Sequence, residues 1–402
     1  MSFRSSSLIL SARPRLAALR ASLADPNSKT PVPTLTSVLP DDVSTSLSSS
    51  SSSLSSIIPY QTFLHPPPPS TQPLTDTHNR LHNYVRLSLT SRCNLRCTYC
   101  MPEDGVPLPS QPSMLTDVER YKIIKSISSR IPSSGPPVKI KLTGGEPLLH
   151  STLPPLLEDL STLTADIGLT TNGILLSKKW DGIKDYIKSV NISLDTVDEE
   201  KFERLTRRRG RERVMDSISL ASKTHRVKIN CVVMRGFNDS VTDFDQILSF
   251  CEANSVECRF IEWMPFSGNN FDGKFVSMKE MKETIRKTGR EIDDVETFFS
   301  DTTKWGETER GRVGFISSMS ENFCGGCNRI RVTCDGNLKV CLFDGTEISL
   351  RDAIRSGVSE QELGWIMDNA LGRKHFKFAG AEDMHQLAER VKGNRPMTAI
   401  GG

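Results

Sequence analysis

No run in this 402-residue chain approaches the roughly 18 consecutive apolar residues that a membrane-crossing helix needs, so a helical span is excluded. Charge of one sign is equally scarce. The 51 Lys and Arg are nearly matched by 48 Asp and Glu, a formal net charge of +3, and no strong basic field marks a nucleic-acid partner. No internal repeat is apparent. Acidic residues are missing from the first 24 positions, where Arg4, Arg13, Arg15 and Arg20 stand among six serines before Asp25. An Arg-rich, Ser-rich, acid-free start is the composition of a transit peptide, which predicts import into the mitochondrial matrix.

Apolar residues are then nearly lacking for a further stretch. Residues 44–56 are almost all serine, and Pro66 to Pro69 form a proline run. Such a segment cannot bury enough apolar surface to offset its ordering entropy. Residues 1–80 are therefore expected to be a disordered leader and linker outside the fold. The remainder is long enough for two domains of ordinary size.

From Tyr84 the pattern changes. Tyr84-Val85-Arg86-Leu87-Ser88-Leu89 alternates as a strand does. Strand-like runs recur at 138–142, 167–170, 190–194, 227–234 and 258–262, with helical spacing between them. Thr116 and Glu119 form a capping box ahead of Val118, Tyr121, Ile124 and Ile127. Alternating strand and helix implies a parallel sheet covered by helices. Six such units predict a partial (β/α)6 barrel rather than a closed eight-fold one.

Cysteine, by contrast, is plentiful. Ten are present, and their spacing argues for metal rather than disulfides. Cys93, Cys97 and Cys100 form C-x3-C-x2-C just after the first strand, at the end of the barrel where active sites sit. A structural zinc wants four ligands, and no fourth Cys or His lies nearby. Three thiolates on a [4Fe–4S] cluster leave one iron open to chelate a small molecule with an amino and a carboxylate group. Gly144-Gly145-Glu146-Pro147 follows the second strand, and glycine there permits close backbone approach.

A second set, Cys324, Cys327 and Cys341, reads C-x2-C-x13-C. A hairpin signal lies between, with Asp335-Gly336 as a two-residue turn. That turn would set Cys341 opposite Ile330 and Cys334 beside Asn337. Cys334 would then lie about 13 Å from Cys341 at roughly 3.3 Å per residue, too far to share one ion. A four-cysteine zinc ribbon remains the alternative if the turn differs. Arg329 and Arg331 alternate onto one face, opposite Ile330 and Val332.

Taken together, C-x3-C-x2-C with Tyr99 before its last cysteine, Gly-Gly-Glu-Pro, Thr-Thr-Asn-Gly, Cys-Gly-Gly-Cys-Asn-Arg-Ile-Arg and a terminal Gly401-Gly402 resemble the GTP 3′,8-cyclase family of the radical S-adenosylmethionine superfamily. The resemblance implies a radical SAM half-barrel over 81–300 and a C-terminal iron–sulfur and GTP-binding domain over 301–402. It implies two [4Fe–4S] clusters, on Cys93, Cys97 and Cys100 and on Cys324, Cys327 and Cys341. S-adenosylmethionine would be contacted at Tyr99, Gly145, Ser193 and Met264, although simple core packing suits Met264 as well. GTP would be bound by Arg86, Lys141, Thr170, Lys228, Arg329 and Arg331. Lys141 departs from the family, which usually carries arginine there. Gly401 and Gly402 would thread into the active site and, with Arg329 and Arg331, serve catalysis. The implied reaction joins ribose C3′ of GTP to guanine C8, the first step of molybdenum cofactor biosynthesis. An electron donor, a downstream cyclic pyranopterin monophosphate synthase and a homodimer are the implied partners.

Overall fold

The computed structural model describes residues 57–63, 73–267, 269, 271 and 273–401. The Arg-rich leader, the serine tract, the proline run and Gly402 lie outside the described residues. Thirteen strands form one sheet: β1 (Ile57–Ile58), β2 (Tyr84–Ser88), β3 (Lys139–Thr143), β4 (Asp166–Thr171), β5 (Ser189–Ser193), β6 (Arg226–Val232), β7 (Glu257–Ile261), β8 (Asp293–Val295), β9 (Lys304–Thr308), β10 (Gly311–Ile316), β11 (Arg329–Val332), β12 (Asn337–Lys339) and β13 (Glu347–Ser349). Their spatial order is β1-β13-β12-β11-β2-β3-β4-β5-β6-β7-β10-β9-β8. Strands β2 to β7 are mutually parallel, as six strand–helix units require. They form the half-barrel that the sequence predicts, each strand within about two residues of its predicted place.

Alternation sorts the two faces of this sheet. Val85, Leu87, Ile140, Leu142, Ile167, Leu169, Val190, Ile192 and Ile229 are fully buried in the main core. Leu156, Leu157, Leu160, Val214, Ile218, Phe244 and Ile247 from the helices Leu153–Ser161, Arg211–Ala221 and Val241–Ala253 belong to the same core. Each such side chain contributes about 1.5–3 kcal/mol by leaving water. The intervening positions point to the other face and are polar: Arg86 and Ser88, Lys141 and Thr143, Thr170, Asn191 and Ser193, Lys228 and Asn230, Arg259. A polar lining on the inner face of a half-barrel is a site rather than a core. The capping box at Thr116 is present, with the Thr116 side chain accepting from Glu119 N.

The C-terminal third does not start a separate sheet at residue 300. Strand β10 continues the sheet beyond β7 and β11 continues it beyond β2, both parallel to their neighbours. The β11–β12 hairpin corrects the expected turn. Arg331 pairs with Lys339 and Val332 with Leu338, so the loop holds three residues, Cys334, Asp335 and Gly336. Gly336 N–H donates to Thr333 O at 2.9 Å, and Gly336 has φ +87°. The third loop position thus takes the left-handed conformation of a bulged three-residue turn, which glycine adopts without strain.

The boundary at residue 80 is also corrected. Ile57–Ile58 pairs with β13, and Leu74 is fully buried in the core. Asp76 and Arg80 are buried as an ion pair, Arg80 Nε to Asp76 Oδ2 2.6 Å. These residues were assigned outward by a polar, proline-rich average that a few anchoring side chains do not shift.

Candidate active site

The first triad sits on the loop after β2. Helix Glu199–Thr206 holds that loop: Arg96 N–H donates to Thr206 O and Thr98 N–H to Leu205 O, both at 2.9 Å. Cys93 Sγ accepts from Leu95 N at 3.4 Å and from Asn172 Nδ2 at 3.8 Å. Burial pushes all three thiols up, Cys100 to about 12, and the sulfurs lie near enough to repel one another when charged. All ten cysteines are free. Among the described residues no three His, Cys, Asp or Glu side chains converge on a single ion. A group that takes one thiolate per iron would bind these three with loss of the thiol protons.

The Gly-Gly-Glu-Pro segment braces this loop. A Cβ on Gly145 would fall 2.3 Å from the Arg92 carbonyl oxygen, and one on Gly144 would fall 2.5 Å from that of Thr90. The close approach is thus to the cysteine loop's own backbone. Gly145 N–H donates to Thr90 O at 2.6 Å and Glu146 N–H to Arg92 O at 2.8 Å. Glu146 is fully buried and accepts from Leu148 N, Thr171 Oγ1 and Asn172 N. Burial raises its carboxyl to about 7 against those hydrogen bonds.

A cavity of about 280 Å³ opens on the polar face. Tyr99, Ser193 and Met264 line it on the side of the first triad, and Cys324, Cys327 and Cys341 line it at the other end. Between them stand Arg86, Thr170, Arg329 and Arg331. The structure therefore brings most of the predicted contact residues to one wall. Tyr99 donates its hydroxyl to Asp195 Oδ2 at 2.9 Å and meets Trp263 edge-on, with ring centroids 5.8 Å apart. Burial lifts the Asp195 carboxyl to about 6.

Register explains the cations. Arg331 pairs with Arg86, Arg86 with Lys141, and Lys141 with Gly168, so three basic side chains from adjacent strands share one row. Lys228 and Arg259 add charge from β6 and β7. Lys141 and Lys228 stand on the same face but are not among the residues that line this cavity. Lys141 crosses over β4, where a Cβ on Gly168 would fall 1.9 Å from its Nζ, and it donates to Ser189 Oγ at 3.2 Å. Burial, with Arg259, Lys228 and Arg86 as neighbours, holds its ammonium well below its usual range. Burial likewise brings Arg331 down to about 9 and Arg259 to about 10. The buried Arg329 Nη2 has no hydrogen-bond partner among the described residues.

The carboxylates of the wall do not answer this charge. Asp195 accepts from Val232 N and Tyr99, and Glu262 accepts from Met278 N, Met319 N and Ser320 N. Gly401 packs beside the cavity. Arg331 donates to Gly401 O, and a Cβ on Gly401, where φ is +73°, would fall 2.8 Å from Thr143 Cγ2.

The corrected register matters at the second triad. Continued two residues past Lys339, it sets Cys341 level with Arg329, on the face of Arg331 and Cys327, whereas the expected turn would have turned it to the core side. Burial alone would raise the Cys327 thiol, but Arg329 and Lys374 beside it prevail and bring it to about 6. Cys334 is fully buried elsewhere, near Asp335, Arg395 and Ser91. Arg259, Lys374 and Arg80 escaped the sequence reading. An arginine at an inward position of apolar β7 could have been noticed; Lys374 and Arg80 belong to no motif.

Residues 87–251 match the family model of the Radical SAM superfamily, and residues 256–379 match that of Molybdenum Cofactor Synthesis C. The mitochondrial GTP 3′,8-cyclase of Arabidopsis thaliana is 43% identical over 345 residues, covering 83% of this chain and 85% of that protein. The chain belongs to the GTP 3′,8-cyclase family. The GTP 3′,8-cyclase of Lactiplantibacillus plantarum is 33% identical over 340 residues, 82% of this chain and 99% of its own. Molybdenum cofactor biosynthesis protein 1 of Dictyostelium discoideum is 45% identical over 340 residues, 82% of this chain and 52% of its own. The chain spans about half the length of that relative and of its human, bovine and murine counterparts. The resemblance read from the motifs is thereby borne out. Radical SAM membership implies a [4Fe–4S] cluster and S-adenosylmethionine.

Proposed function

We propose that this chain is a mitochondrial-matrix radical S-adenosylmethionine GTP 3′,8-cyclase, catalysing the first step of molybdenum cofactor biosynthesis. Cys93, Cys97 and Cys100 hold one [4Fe–4S] cluster, and Cys324, Cys327 and Cys341 hold a second. When bound, the first cluster would supply the electron that cleaves S-adenosylmethionine, and an external donor would supply that electron and the one that completes the conversion of GTP to 3′,8-cyclo-7,8-dihydroguanosine triphosphate. The chain's own residues bind and orient. Tyr99, Gly145, Ser193 and Met264 seat S-adenosylmethionine. Arg86, Thr170, Arg329 and Arg331 meet the nucleotide, and Lys141 and Lys228 add charge from behind. Gly401 and Gly402 serve catalysis as the chain's tail, and at Gly401 a side chain would collide with Thr143. The half-barrel over 81–300 carries the first of these tasks and shares the second with residues 301–402, which supply Arg329, Arg331 and the second triad. An external electron donor, a cyclic pyranopterin monophosphate synthase to take the product and a homodimeric assembly complete the reading.

The observation that carries this reading is the convergence of Arg86, Arg329 and Arg331 on one cavity wall. A cluster of cations on one wall attracts an anion that arrives with the substrate. A triphosphate suits guanidinium forks. The test is anaerobically reconstituted protein given S-adenosylmethionine, a reductant and GTP. We expect about eight irons, four per cluster, and release of 5′-deoxyadenosine that depends on GTP. Arg331→Ala should weaken GTP binding by about 10–100-fold, the worth of a hydrogen bond to a charged group, and leave S-adenosylmethionine binding intact. Release of 5′-deoxyadenosine with a peptide but not with GTP would overturn the substrate.

A further inference from the structure

The geometry points to Lys374 as a positioning residue for the second triad: it fixes the sulfur of Cys327 from behind and sets how readily the group held there accepts an electron. The inference rests on reading Cys324, Cys327 and Cys341 as ligands of a second iron–sulfur cluster.

Lys374 lies three residues beyond the helix Glu360–Leu371 and is only 4% exposed. Its Nζ lies 2.8 Å from His82 Nε2, 3.0 Å from Arg329 O, 3.4 Å from Cys327 O and 3.4 Å from Cys327 Sγ. The ammonium is thus clamped between the strand that carries Arg329 and a fully buried histidine just ahead of β2. Neighbouring residues hold the frame. Arg80 pairs with Asp76 and donates to Cys324 O at 2.7 Å, Phe376 O at 3.0 Å and His375 O at 3.1 Å. The one short segment from Asp76 to His82 therefore braces both the first cysteine of the triad and the residues next to Lys374. Lys374 is not on the cavity wall, so it acts through Cys327 and not on the substrate.

A donor on a ligand sulfur withdraws electron density from the metal group. It stabilises the reduced, more negative form and raises the potential. A buried ammonium with no carboxylate among its hydrogen-bond partners makes sense beside a group that gains negative charge.

The test uses the full-length holoenzyme and two variants, Lys374→Met, which keeps the bulk and loses donor and charge, and Lys374→Arg, which keeps both. EPR-monitored redox titration without GTP reads each cluster separately. In Lys374→Met we expect the second cluster's reduced-to-oxidised ratio at fixed potential to fall at least tenfold, about 59 mV for one electron. The first cluster should not move, and Lys374→Arg should stay near wild type. Full iron content with an unmoved second potential overturns the inference. If Lys374→Met sheds iron from the second triad, His82→Gln, which leaves the ammonium and changes one anchor, is read the same way: a smaller drop in the same direction supports the inference and no drop overturns it. Wild-type protein with about four irons and one cluster signal overturns the cluster reading itself, and that outcome is recognised before any variant is compared.

Discussion

Single residues in this site are explained by what stands next to them across the sheet, which a linear sequence does not display. Lys141 departs from the arginine expected by resemblance, and its place depends on Gly168 one strand away, whose missing Cβ leaves the room that the lysine occupies. Alternation made the shared face of Arg329 and Arg331 readable, whereas Arg86 was singled out by the resemblance alone. Arg259 belongs to no motif, and only its inward position on apolar β7 marks it; that Asn230 receives it is not written in its own strand. Lys228 gives a measurable consequence. Burial, with Arg259 and Arg226 nearby, lowers its ammonium to about 8. The unfolded chain keeps that proton up to the ordinary lysine range. Between about pH 8 and the usual value of 10.5 the unfolded state therefore binds more protons, and the folded protein gains stability as pH rises. Nucleotide binding should run the opposite way and weaken through the same interval as the charge is lost. Lys228→Met should flatten both profiles, as urea titrations and GTP binding from pH 7 to 10 would reveal. Parallel profiles in wild type and variant would show that Lys228 is not the titrating group.

At the scale of elements, periodicity served well where strands were long and served poorly where a turn had to be counted. Strands β2 to β7 fall within about two residues of the predicted runs because their alternation spans both faces of a covered sheet. The β11–β12 turn was miscounted by one residue. Asp335-Gly336 reads as a two-residue loop, but Thr333 closes the turn by accepting from Asn337 N and Gly336 N, which takes Cys334 into the loop. One residue of slip reverses every side chain beyond it, and here the slip brings Cys341 to the cationic face. The Gly-Gly-Glu-Pro element was read as a ligand-facing turn, while its glycines are spaced for the backbone of the cysteine loop. That difference predicts the behaviour of Gly145→Ala. A methyl group 2.3 Å from the Arg92 carbonyl cannot be absorbed by a side-chain rotation, because the obstacle is backbone. The loop must move, at a cost of about 1–3 kcal/mol. Reconstituted Gly145→Ala should therefore lose iron from the first triad and keep that of the second, about four irons in place of eight. Full occupancy of both triads would show that the loop tolerates the shift and that the glycine serves the ligand alone.

For the molecule as a whole, composition drew the border of the fold in the wrong place, and the reason is physical. Averaged over 1–80, serine and proline dominate, and an average of that kind says only that the segment cannot build a core of its own. It does not say that the segment cannot add to a core supplied by others. Tyr60 and Leu74 do so, at 8% and 0% exposure, and Asp76, Arg80 and His82 complete the frame behind Cys324 and Cys327. Two shortened chains separate the views. A chain starting at Ile57 keeps β1 and the whole frame and should match the full chain in melting temperature and iron content. A chain starting at Leu81 loses Tyr60, Leu74, Asp76 and Arg80 together. Two buried apolar side chains are worth about 3–6 kcal/mol, which at about 2 °C per kcal/mol for a protein of this size lowers the melting temperature by roughly 6–12 °C. The loss should be uneven, because the segment supports one triad and not the other. Iron at Cys324, Cys327 and Cys341 should fall while the first triad stays occupied, which Mössbauer spectra of the two chains would separate. Equal melting temperatures and equal iron in both chains would show that the segment from Ile57 to Arg80 merely rests on the fold.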